Sequence, residues 1–169
     1  MKHTVVNDLN HFSYHDAEIQ EMKWHDNNLV FVVSEINATT TNAQNSHCKD
    51  MCIDNANILF ENAHIESIVF NAYKTYDSNK NLVKSVEAET ATEEEYADIL
   101  RESLNDYCYI LSMSNYKKST DDRYTICFII DGGAGSYDLT ISFVRSTISW
   151  KDFLGEAWYE HLKWKKQEG

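Results

Sequence analysis

The side chains able to do chemistry gather in two short stretches. His11, His15, Asp16, His25 and Asp26 place two His-Asp pairs near the amino terminus. Imidazole and carboxylate are ligand types that zinc and other divalent ions accept, so these five are candidate metal ligands. Adjacent residues of a strand point to opposite faces, which works against His15 and Asp16 sharing an ion. His11 and His15 align only if their segment is helical. The simpler reading makes all five surface turn residues; a small metal-dependent enzyme or metal-binding domain is the alternative.

His47, Cys48 and Cys52 form the second stretch, with Asp50 and Asp54 close by. Thiolate and imidazole suit zinc, but the spacing is His-Cys-x3-Cys and no matching pair follows. Nor is it the Cys-x-x-Cys of thiol oxidoreductases. Cys108 and Cys127 stand singly in strand-like runs and read as small core residues. The run Asp131-Gly132-Gly133-Ala134-Gly135-Ser136 lacks the lysine and following helix of a phosphate loop, so it reads as a glycine turn. There is no Gly-x-Ser-x-Gly elbow, and no cysteine has a cationic setting. Glu93, Glu94 and Glu95 read as the first turn of a helix rather than a catalytic acid cluster. Trp158, Tyr159 and Trp164 suit a docking surface, although at least two of them are expected in the core.

These residues need a scaffold, and its elements are legible in part. Ala17–Trp24 and Leu29–Ile36 read as a hairpin turned by His25-Asp26-Asn27-Asn28, since Asn and Asp tolerate tight-turn backbone. Ile19 and Met22 fall out of alternation, which points to a bulge. Leu29–Val33 is apolar on both faces, as in a central strand. The polar stretch 37–50 reads as an exposed loop. Strands are expected at Ile53–Glu61 and His64–Tyr76, with Leu82–Ala88 pairing back after the turn at residues 77–81. Thr92 and Glu95 make a capping box for a helix over Glu93–Asp106, with Tyr96, Leu100, Leu104 and Tyr107 as its apolar stripe. Strands follow at Tyr107–Tyr116, Tyr124–Asp131 and Tyr137–Arg145. A second helix is expected from Trp150. Ser149 and Asp152 would cap it, Phe153, Leu154, Ala157, Trp158 and Leu162 would form its apolar side, and Lys163, Lys165 and Lys166 its basic end.

This order predicts a single α+β domain over residues 1–169: a curved, mainly antiparallel sheet or open barrel of about 7–8 strands with one or two packed helices. An apolar fraction of 43% fits a packed globule. The net charge of −12 disfavours nucleic acid and anionic membrane surfaces and favours a basic protein partner, while also promoting solubility. No apolar run reaches the roughly 18 residues of a membrane span. Residues 1–12 carry no export signal, so a cytoplasmic setting with reduced cysteines is expected. The Asn, Lys and Ile usage suggests an AT-rich bacterial genome.

The stretch from Phe12 to Val33, reading F-S-Y-H-D-A-E-I and later L-V-F-V-V, resembles the start of small bacterial β-rich domains, some grouped with immunity proteins of polymorphic toxin systems. The resemblance implies an antiparallel β-rich domain and a toxin-neutralising role, and assigns no functional residue. The leading expectation is therefore a non-catalytic, immunity-like binding protein. No cofactor is expected, a divalent metal being the alternative. A small-ligand pocket inside the curved sheet, lined by Trp24, Phe31 and Phe70, is a third possibility.

Overall fold

A computed structural model of the chain, described over residues 1–161, consists mostly of antiparallel strands. In chain order the first eight are β1 (His3–Val6), β2 (Phe12–Ser13), β3 (Ala17–His25), β4 (Asn28–Ser34), β5 (Asn37–Ala38), β6 (Met51–Ile53), β7 (Ala56–Glu61) and β8 (His64–Phe70). Then come β9 (Tyr73–Tyr76), β10 (Leu82–Val86), β11 (Glu89–Thr90), β12 (Cys108–Lys118), β13 (Tyr124–Gly132), β14 (Gly135–Phe143), β15 (Arg145–Trp150) and β16 (Phe153–Glu156). Ten strands form one open sheet in the order β1-β15-β7-β4-β3-β12-β13-β14-β8-β11. Strands β16-β6-β5-β2 form a small second sheet, and β9 with β10 a separate ribbon. The antiparallel α+β expectation holds, but 7–8 strands was too few for the main sheet.

The large sheet bends back on itself. Strands β7 and β15, paired with each other, continue into the pair β8 and β14 around one corner. There the Val144 N–H donates to the Glu61 carbonyl at 2.9 Å, and Asn62 takes a φ of 50°. Elsewhere β3 and β12 pair only through Ala17–Ile110 and Glu18–Tyr109. The two halves thus face each other. Phe31 and Phe60 from one half meet Phe128 from the other at ring-centroid distances of 5.9 and 6.1 Å. Alternation accounts for which side chains point in: Leu29, Phe31 and Val33 are buried, while Val30 and Val32 between them are half-buried on the outer face. The first hairpin closes through His25–Asn28, and Gln20 is the extra residue of its bulge, in the arm where the broken alternation placed it.

The helix begins with a 3-10 turn at Glu93–Glu95 and continues as α1 (Tyr96–Ser103), so it stops before Asp106. Thr92 N–H donates to Glu95 Oε2 at 2.7 Å, closing the expected capping box. At the other end the Ser103 carbonyl accepts the Gly133 N–H at 3.0 Å, which ties the glycine turn to the helix terminus.

Three further expectations need correction. The second helix does not form from Trp150: residues 145–150 are β15 and 153–156 are β16. Ser146, Ile148 and Trp150 alternate inward, and Phe153 pairs with Ile53, so sheet partners capture a segment whose local pattern also fits a helix. Asp152 bonds Lys2 at 2.5 Å instead of capping, and Leu162, Lys163, Lys165 and Lys166 lie outside the described residues. His64–Tyr76 is not one strand; it breaks at Asn71-Ala72, and β9 leaves the sheet to pair with β10. The stretch 37–50 is not simply an exposed loop. Asn37, Ala38, Asn42 and Asn45 are buried, and Asn45 Nδ2 donates to the carbonyls of Ala38, Thr39 and Lys49 at 2.9–3.1 Å.

Candidate functional site

The histidine and aspartate candidates lie in turns, except His25, which ends β3. Asp16 and Asp26 adopt left-handed backbone, with φ of 64° and 52°. Because His15 and Asp16 sit in a turn and not on a strand, their side chains do meet, at 3.4 Å. In its Nδ1–H tautomer His15 donates to the Leu111 carbonyl at 3.1 Å. His25 contacts Asp26 at 3.1 Å, both highly exposed. His11, in a 3-10 turn at Leu9–His11, is bonded to Asp8. These are three separate pairs facing three different clefts.

The second stretch also disperses. His47 packs against Phe153 with ring centroids 5.7 Å apart, and Cys48 is exposed. Cys52 is half-buried on β6, and burial, helped by the charge of Glu35, raises its thiol pKa. Cys52 reaches a cleft of about 290 Å³ that His15, Asp16, Glu35 and Trp158 also line. Members of both stretches thus share one rim, because the small sheet lies beside the start of β3. Among the described residues no three His, Cys, Asp or Glu side chains group as a metal site. Burial pushes the Cys108 thiol up to about 12, with Asp131 and Glu18 adding to the effect, so it stays protonated in the core. Trp158 is exposed and Tyr159 half-buried; Trp164 lies outside the described residues.

The three aromatics expected around a ligand pocket separate. Phe31 is fully buried among Phe60 and Phe128. Phe70 packs on Tyr137 at 5.6 Å and lines a cleft at the foot of the β9–β10 ribbon. Trp24 is 42% exposed on the rim of another cleft, of about 590 Å³.

The Trp24 cleft is the most chemically defined of these. Its walls are the Asp26-Asn27 loop, residues 62–65 and the start of the helix with Glu93 and Tyr96. The two loops are tied together where Ala63 N–H donates to the Asn27 carbonyl at 2.8 Å and Asn62 N–H to Asn28 Oδ1 at 3.1 Å. Glu95 caps the helix, and Glu93 lines the cleft with no ion pair among the described residues. A partly exposed indole that shares a cleft with two carboxylates suits an ammonium or guanidinium group on an aliphatic stem. Sequence reasoning saw these parts in local roles: Glu93 as a helix start and Tyr96 as part of an apolar stripe. The available signal was a tryptophan two positions before the Asp26 turn.

No helix among the described residues is long and apolar enough to cross a membrane. Comparison with protein-family models, with curated proteins and with solved structures finds no match to this chain.

Proposed function

We propose that this chain is a non-catalytic, immunity-like protein-binding domain of the bacterial cytoplasm, whose acidic surface takes a basic protein partner. The observation that carries this reading is the Trp24 cleft, which a partly exposed indole lines together with the carboxylates of Asp26 and Glu93. The net charge of −12 supports it, since a field of that sign draws in a cationic partner. Complementary charge acts mainly on encounter, so salt should slow association more than it speeds dissociation. The test is surface-based kinetics against a panel of purified basic toxin domains, at low salt and at about 0.5 M, where the Debye length has shrunk to a few ångströms. A binder whose association slows with salt and whose affinity falls about tenfold or more with Trp24→Ala supports the reading, as a central aromatic anchor would. Binding indifferent to both counts against it.

Divalent-metal binding is the second reading: His15, Asp16 and Cys52 line one cleft, without grouping as a ligand set among the described residues. Elemental analysis of untagged protein and melting with and without chelator test it. A stoichiometric metal with a lower Tm on chelation, abolished by His15→Ala with Asp16→Ala, would put this reading first.

A further inference from the structure

The β9–β10 ribbon is a sheet of its own and, among the described residues, pairs with no other strand. Tyr73, Tyr76, Leu82 and Val83 on it are 47%, 58%, 55% and 67% exposed. A lone two-stranded ribbon is marginally stable in water, so one that also exposes large apolar side chains suits a docking arm. Its charge is opposite to that of the body. Lys74, Lys80 and Lys84 stand against a single Asp77 within residues 73–86. None of the three lysines forms an ion pair among the described residues. Asp77 is occupied in its own turn, accepting from the Asn79 and Asn81 backbone and from Asn81 Nδ2 at 2.8–2.9 Å. Lys84 Nζ donates to the Tyr73 hydroxyl at 2.7 Å, which holds one cation over an aromatic face.

We propose that the ribbon docks in the Trp24 cleft of a second copy of this chain. The proposal rests on the reading of that cleft as a binding surface, and it adds an occupant carried by the chain itself. Lysines and apolar side chains on the ribbon meet carboxylates and an exposed indole in the cleft. The ribbon leaves β8 after Phe70, and the cleft begins at His64 and Ile65, so the two lie at opposite ends of one strand. That placement favours a neighbour's cleft over the chain's own, and a two-fold axis lets each copy serve the other. A basic partner would be repelled by the ribbon lysines, and a nucleic acid by the acidic body.

Sedimentation velocity of the full chain across the micromolar range, at low salt and at about 0.5 M, tests the proposal. A ribbon variant carries Lys74→Glu, Tyr76→Ser and Leu82→Ser; the cleft variant is Trp24→Ala. Circular dichroism and a single cooperative melting transition well above the working temperature confirm that each still folds. The expected result is a dimer that weakens about tenfold or more at high salt, with both variants monomeric where the wild type is dimeric. Mixing the variants should restore a hetero-association, since one supplies an intact cleft and the other an intact ribbon. A wild-type monomer throughout, a dimer that survives either variant, or ribbon-dependent binding of a DNA duplex would overturn the proposal. Loss of the dimer alone leaves the basic-partner reading standing if Trp24→Ala still weakens that partner. A Trp24-dependent dimer with no basic partner would leave self-association and remove the other reading.

Discussion

Three tyrosines carry a pH dependence that follows from where their hydroxyls sit. Burial raises the Tyr14 phenol well above its ordinary 10.0, with Tyr116 and Asp8 adding to the effect. Burial, then the neighbouring Tyr124, pushes Tyr116 up to about 12, and burial raises Tyr137 as well. The unfolded chain therefore releases these protons first. Their contribution to stability is full below pH 10 and is lost as pH climbs from 10.0 toward about 12 and beyond. A melting series read alongside the tyrosinate absorbance should show little change in Tm between about pH 7 and 10 and a steep fall above it. Tyr116→Phe should soften the fall, at a cost of about 1 kcal/mol at neutral pH for the lost bond to the Asn7 carbonyl. A steep loss of Tm already at pH 8 would contradict this origin. At this scale Asp16 and Asp26 were legible as turn formers. That His15 would meet Asp16 was not, because it depends on the turn that separates them from β3.

Among the elements, the glycine turn and the helix end are coupled. An added Cβ at Gly133 would lie 2.4 Å from the Glu102 carbonyl oxygen, whereas one at Gly155 meets nothing within 4 Å. Gly133→Ala should cost roughly 2–4 kcal/mol in urea unfolding and Gly155→Ala less than about 0.5. Equal costs would show that the helix end yields freely. The capping box, the hairpin turn and the bulge were readable because each depends on neighbours a few residues away. Strands β15 and β16 were not. Ser149 and Asp152 are good caps, and the spacing of Phe153, Leu154, Ala157 and Trp158 fits a helix. Pairing with β1, β7 and β6, distant in sequence, overrode that local preference.

Over the whole molecule, the two halves of the bent sheet are joined through Phe128, which contacts Tyr14, Phe31 and Phe60. Phe128→Ala should cost about 3–5 kcal/mol, since it opens a cavity between halves that cannot collapse independently. Trp24→Ala should cost about 1–2 kcal/mol, well below Phe128→Ala, because the indole is only partly buried at 42% exposure. Chemical denaturation of both separates core from surface; a large loss with Trp24→Ala would make that residue structural and weaken the cleft as a binding surface. The sequence by itself determined the antiparallel class, the acidic field, the helix start and the turns, because composition, alternation and capping act over a few residues. Only the tertiary structure decided that the sheet bends at Asn62 and Val144, that the polar stretch 37–50 is anchored by buried asparagines, and that Trp24, Asp26 and Glu93 border one cleft. Those depend on contacts between segments far apart in the chain, where local pattern carries no record of the partner.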